Sequence, residues 1–116
     1  MKILYRELGL TAKDVAEVTA TVIEIITKKL PDPEAINFLK EKYKENKLHF
    51  GLLLLGRVAG MSFALSNPEK VKAILSDFLR LISIYKSKGK EQLTKVIEKE
   101  TLEEVYSKLD ELKDVI

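Results

Sequence analysis

The chain has 116 residues and a mass of 13.2 kDa, with 46% hydrophobic and 33% charged residues and a formal net charge of +2. That is the size of one domain able to bury roughly two thirds of the surface its unfolded form exposes, and the balance excludes disorder, collagen-like repeats and low-complexity sequence. The absence of cysteine excludes disulfides, thiolate zinc sites, iron–sulfur clusters and cysteine nucleophiles, and a charge of +2 does not by itself call for a nucleic acid or a membrane.

The chain divides at its turn residues. A helical turn is expected over Lys2 to Leu8, closed by Gly9. Thr11 and Asp14 form an acidic variant of a capping box, and Leu10 and Val15 occupy the ends of a hydrophobic staple. These signals start helix 1 at Ala12, and it should run to about Lys29. Its interior, Glu17 to Thr27, is rich in β-branched residues and has some strand character. No second strand is present to pair with it, and a lone strand leaves its backbone groups unsatisfied, so helix is the reading taken.

Pro31-Asp32-Pro33 ends helix 1 and opens helix 2, with Asp32 as N-cap and Pro33 at the first helical position. Ile36, Leu39 and Tyr43 form its stripe, and it should end near Glu45 or Asn46. Helix 3 is expected from Leu48 to Leu65, apolar almost all round, and therefore at the centre of the domain or in an oligomer interface. The apolar run Phe50 to Leu65 holds only 16 residues with Arg57 near its middle; a membrane span needs about 20, and a central arginine is costly there. Asn67-Pro68 opens helix 4, which runs to about Ser87 before Gly89 stops it. Helix 5 starts near Lys90, and a second capping box, Thr101 with Glu104, predicts a break near Glu100. Leu102, Val105, Leu109, Leu112 and Ile116 then repeat at 3-4 spacing over two heptads, fewer than a coiled coil requires. The fold class expected is all-α: one compact bundle of five to seven helices with short connections, and a single helical domain over residues 1–116.

Few residues carry chemical signals. His49 is the single histidine, and Glu41 and Glu45 precede it at eight and four residues, without the duplicated Glu-x-x-His of di-metal bundles. Ser and Asp are present, but no Gly-x-Ser-x-Gly accompanies them, and Gly51, Gly56 and Gly60 are not followed by the Lys-Ser/Thr of a phosphate loop. No acid, base, nucleophile and metal set is assembled at the spacing chemistry needs, so neither an enzyme nor a cofactor is expected.

Gly56, Gly60 and Ala64 recur every four residues on one helix face, which lets a second helix approach closely, either within the chain or from a second copy. Leu102, Leu109 and Leu112 add a second candidate interface, although that stripe also suits packing on the chain's own core. Arg57 stands alone in its apolar helix and calls for a carboxylate from another helix, with Glu24 and Asp77 as candidates.

Charge is unevenly spread: residues 28–90 carry +7 and residues 91–116 carry −4. Lys40, Lys42, Lys44 and Lys47 form one basic cluster and Lys86, Lys88 and Lys90 another, with Tyr43 and Tyr85 beside them. Phosphate neutralisation with aromatic stacking is what single-stranded nucleic-acid binding needs. The same asymmetry also suits head-to-tail association. Seventeen lysines against three arginines, with one glutamine, match the composition of proteins from hot environments. The N-terminal MKILYRELGL is interrupted by Arg6 and Glu7 and does not read as a signal peptide, which points to the cytoplasm. The leading expectation is a non-enzymatic interaction module that partners itself or another protein subunit; the alternative is a nucleic-acid-binding helical subunit.

Overall fold

The computed structural model describes residues 5–60, 68–100 and 102–112, with side-chain surroundings given for residues 5–58, 76–100, 102–107 and 109. Among them the protein is all-α, as expected, with six helices: α1 (Ala12–Thr27), α2 (Asp32–Lys42), α3 (Glu45–Gly60), α4 (Pro68–Lys88), α5 (Lys90–Lys99) and α6 (Glu103–Leu112). They pack into a bundle with a radius of gyration of 13.3 Å, close to the value for 100 residues of compact chain.

The start of α1 follows the expected local chemistry. The Asp14 amide donates to Thr11 Oγ1 at 3.1 Å, and the Thr11 amide donates back to Asp14 Oδ2 at 3.1 Å. Lys47 Nζ from α3 reaches the other Asp14 oxygen at 3.2 Å. The backbone hydrogen bond from Thr11, aided by Lys47 and opposed by slight burial, holds the Asp14 carboxyl below its ordinary value. Thr11→Ala should cost about 1 kcal/mol, the usual worth of an N-cap; chemical denaturation of the two proteins measures it. Asp14's own contribution is present above its ordinary value of 3.8 and is lost as pH falls through the lower folded value.

Several boundaries shift by one to three residues. Tyr43 is extended and Glu45 has a φ of 56°, so α2 stops at Lys42 and α3 already begins at Glu45. Pro31 rather than Asp32 is the N-cap of α2; Asp32 takes the first helical position, where its charge suits the helix dipole. Gly89, with a φ of 88°, separates α4 from α5 as expected. The break near Glu100 is also present: α5 ends at Lys99, and Glu100 is extended. Arg80 of α4 clamps that corner through two hydrogen bonds to Glu100, at 2.9 and 2.8 Å. Asn67, residues 61–65 of the expected helix 3, and Thr101 of the expected second capping box lie outside the described residues.

Of the two places expected for helix 3, the centre of the domain or an oligomer interface, the centre is taken by α1. Every residue of α1 from Val15 to Ile25 except Glu17 is buried, and α3, α4 and α5 all pack against it. The β-branched run with strand character is this central helix. Its threonines make burial tolerable because each hydroxyl finds a partner. Thr27 Oγ1 donates to the Ile23 carbonyl at 2.8 Å. Thr21 Oγ1 lies 3.0 Å from the Glu17 carbonyl and 2.7 Å from the Tyr43 hydroxyl. Thr19 Oγ1 meets the Tyr106 hydroxyl at 2.8 Å. Each such bond is worth about 1 kcal/mol net, but the bare hydroxyl would cost more if left unpaired.

Helix α3 instead has two sides. Phe50, Gly51 and Leu54 are buried against α1 and α2, whereas Leu52, Leu53, Leu55 and Val58 are half-buried and Gly56 is exposed. No helix among the described residues is long and apolar enough to cross a membrane.

On the far side of the core, Tyr5, Phe50 and Tyr106 meet edge to face, with ring centroids 5.5–6.2 Å apart. Burial, opposed by the Thr19 hydrogen bond, raises the Tyr106 phenol well above its ordinary 10.0, and burial raises Tyr43 too. A group whose folded value is raised contributes stability that is complete below the unfolded value and is lost as pH climbs through the folded one. Stability should therefore be level up to about pH 10 and decline above it. Tyr106→Phe strands the Thr19 hydroxyl and should cost about 1–3 kcal/mol at neutral pH, yet lose less on going to alkaline pH. Denaturant titrations on both sides of the phenol range check both statements.

Candidate functional site

Two regions hold the residues singled out in the sequence. The first is a polar seam on the otherwise apolar α1. Glu17, Thr21, Glu24 and Lys28 recur at four-, three- and four-residue steps and so form one stripe. Three other elements cover it: Lys42 and Tyr43 at the end of α2, Tyr85 of α4 and Lys90 at the start of α5.

Glu24 is the anionic centre of the seam. Its side chain is only 12% exposed, and its carboxylate accepts a hydrogen bond from the Tyr85 hydroxyl at 3.0 Å. Lys28 Nζ stands 3.8 Å away and Lys90 Nζ 3.7 Å away. A carboxylate at this depth needs such partners, because an unpaired buried charge costs several kcal/mol. Lys28, one turn on, and Lys90 of the neighbouring α5 are the ammonium partners of Glu24, one of the two carboxylates the sequence offered to Arg57. Arg57 is half-buried on α3, with Nε and Nη2 sheltered from solvent. Asp77 lies on α4 beside Arg80, where its charge helps to keep that guanidinium protonated.

Lys90 is the electrostatically strained member. Burial lowers its ammonium from the ordinary value, and the Lys42 side chain lying against it lowers it further; Glu24 and Glu17 oppose the shift. Lys42 Nζ also sits 4.9 Å from the centre of the Phe38 ring, a cation–π contact one turn back on α2. The positive charge of Lys42, from the other basic cluster, is thus close enough to act on Lys90.

The remaining lysines divide. Lys40, Lys44, Lys86 and Lys88 are exposed, and Lys47 is tied to Asp14. The tyrosines do not have the role that nucleic-acid stacking requires. Tyr43 is buried with its hydroxyl on Thr21, and Tyr85 is half-buried with its hydroxyl on Glu24. Both rings belong to the packing of the seam, which takes them from the stacking role that the nucleic-acid expectation gave them.

The second region is the outer side of α3. A Cβ added at Gly51 would lie 3.2 Å from Val18 Cγ1 and 3.3 Å from Leu39 Cδ2, so that glycine is required by the close approach of α1 and α2. A Cβ at Gly56 would meet nothing within 4 Å. Of the two α3 glycines whose surroundings are described, Gly51 sits at a close crossing inside the chain and Gly56 does not. His49 and Leu52 precede Gly56 by seven and four residues, on the same side of the helix, with Leu53 next to them; His49 is exposed and both leucines half-buried. Gly60 ends α3 on this register, and Ala64 lies outside the described residues.

The C-terminal stripe is used internally. Leu109 and Tyr106 are buried in the core, and Leu102 and Val105 pack against it. That places Leu109, expected at an interface, in the core, with Leu102 half-buried against it; the side chain of Leu112 lies outside the described residues. Glu41 ends up on α2, Glu45 and His49 on α3, all exposed, on either side of the break at Tyr43. Among the described residues, no three His, Asp or Glu side chains come together as a metal-binding group.

A groove of about 500 Å³ runs between the N-terminal turn and the α5–α6 corner, lined by Tyr5, Leu10, Val15, Ile97, Leu102 and Tyr106 among others. Its rim is closed by Glu103, which pairs with Arg6 and accepts the Tyr5 hydroxyl. Sequence reasoning singled out Glu24 but missed half-buried Glu17, seven residues earlier, which puts a second carboxylate on the same face of α1. No protein-family model, no curated protein and no solved structure matches the chain.

Proposed function

We propose that the chain is a non-enzymatic helical interaction module that pairs with a second copy of itself across the outer side of α3. Gly56 carries this reading. A glycine inside a helix costs roughly 1 kcal/mol relative to alanine. Gly51 has a reason within the chain, since a larger residue would collide with Val18 and Leu39. Gly56 has open space instead, beside half-buried Leu52 and Leu53. A notch flanked by leucines admits the backbone of another helix at short range, and a two-fold axis through it places the same notch on both partners.

The alternative of an outlying apolar contact at Leu79, 54% exposed on α4, offers a single side chain without a notch. The decisive measurement is light-scattering mass after size exclusion, over a concentration series at low and high salt. The proposal expects a species of twice 13.2 kDa that dissociates on dilution and persists at high salt, because the contact is apolar. A mass of 13.2 kDa at every concentration would overturn it.

A further inference from the structure

Leu102 and Tyr106, at the start of α6, line two separate hollows. One is the groove of about 500 Å³ between the N-terminal turn and α5. The other, of about 200 Å³, lies toward α4, against Phe78, Leu81 and Thr19. The first turn of α6 therefore stands between two hollows. Protein interiors hold few voids larger than a water molecule, and side chains that border one forfeit dispersion contacts there. Among the α6 side chains described, Tyr106 and Leu109 are buried, Val105 is half-buried, and Glu104 and Ser107 are exposed. A helix of ten residues is marginal in water without packing to support it.

The seat of α6 is fastened by polar contacts at two points. Glu103 accepts the Tyr5 hydroxyl at 3.1 Å and pairs with Arg6, whose side chain is 74% exposed. An ion pair that open to water adds little. Tyr106 shares a hydrogen bond of 2.8 Å with Thr19. Just before the helix, Glu100 is extended and pinned to α4 by the two Arg80 hydrogen bonds. Helix α5 packs on both α1 and α4, so the part able to swing lies beyond Glu100.

We propose that α6 is a strap that opens as a unit, turning beyond the pinned Glu100 while α1–α5 stay folded, and that its release joins the two hollows into one chamber floored by Val15, Thr19, Phe78, Leu81 and Ile97. The catch is Glu103 on Tyr5 and Arg6, with Tyr106 on Thr19 behind it. This opening exposes only part of the core and so costs less than unfolding the whole chain. It does not depend on pairing through α3.

Native-state hydrogen exchange on the full chain, followed by NMR in rising urea below the unfolding transition, tests the strap. The amides of Tyr106, bonded to the Leu102 carbonyl, and of Leu109 report on α6; those of Val22 and Ile23 report on α1. After correction for intrinsic rates, the α6 amides should exchange about tenfold or more faster than the α1 amides. Their rates should also rise less steeply with urea, because less surface is exposed. Tyr5→Phe removes a hydrogen bond made only in the closed form and should speed α6 exchange about two- to tenfold, the range an ordinary hydrogen bond commands. Ala35→Gly, at a buried position of α2, weakens the closed and opened forms alike. It should speed α1 exchange about fivefold and leave α6 exchange unchanged. Equal protection and equal urea dependence of α1 and α6 would overturn the proposal. So would α6 exchange that Tyr5→Phe leaves unchanged, or that Ala35→Gly speeds as much as it speeds α1.

Discussion

Phe50→Ala should cost about 3–5 kcal/mol, the usual range for removing a fully buried aromatic ring. Domains of this kind carry about 5–15 kcal/mol in total, so the variant should lose from about a fifth of its stability to nearly all of it. The reason is the position of the ring. Phe50 is completely buried on the inward side of α3, and it meets both Tyr5 and Tyr106 edge to face, at 6.2 and 5.7 Å. Removing it empties the point where the N-terminal turn, α3 and α6 converge. Neighbouring rings relax only partly into such a space, because Tyr106 is held through its hydroxyl by Thr19 and Tyr5 by Glu103. Urea denaturation followed by circular dichroism measures the loss. A cost below about 1 kcal/mol, the level typical of surface positions, would mean that the aromatic trio does not hold these three elements together.

Gly51→Leu and Gly56→Leu, five residues apart in one helix, should act in opposite directions. At Gly51 the first added carbon already lies within 3.3 Å of two side chains, one of them the stiff β-branched Val18. Overpacking of that kind costs about 1–3 kcal/mol, which outweighs the gain of roughly 0.8 kcal/mol from replacing a helical glycine by leucine. At Gly56 nothing stands in the way, so the propensity gain survives and the folded monomer is stabilised by up to about 0.8 kcal/mol. The same leucine fills the notch, so the association constant falls. Thermal melts at low protein concentration read the first effect, and sedimentation at high concentration reads the second. Two variants with the same sign on monomer stability would show that α3 has no inner and outer side of the kind described.

How much of this was legible in the sequence depends on the range of the forces involved. Thr11 with Asp14 and the stop at Gly89 are local and were readable to within a residue or two; the break at Glu100 was readable as well, and Arg80, twenty positions away, clamps it. The choice of central helix was not readable. Helix α3 is apolar nearly all round, but α1 is the one enclosed, because its threonines and Glu24 receive partners from Tyr43, Tyr85, Tyr106 and Lys90, residues 22 to 87 positions away. Only tertiary packing supplies the groups that satisfy the polar residues of α1. The glycines follow the same logic. A regular four-residue repeat drew attention to Gly56, while the backbone approach that demands a glycine inside the chain is at Gly51, against Val18 and Leu39 of two other helices.

The chain contains no cysteine, so a single introduced thiol reports on one position alone. Gly56→Cys, oxidised in air at a protein concentration that favours pairing, tests the helix-pairing account most directly, with Leu79→Cys on α4 as the comparison. A disulfide requires the two Cα atoms to come within about 7 Å. Rapid conversion of Gly56→Cys to a covalent dimer, with Leu79→Cys remaining monomeric, is the outcome that pairing through α3 requires. A monomeric Gly56→Cys, or cross-linking through Leu79→Cys in its place, would contradict it.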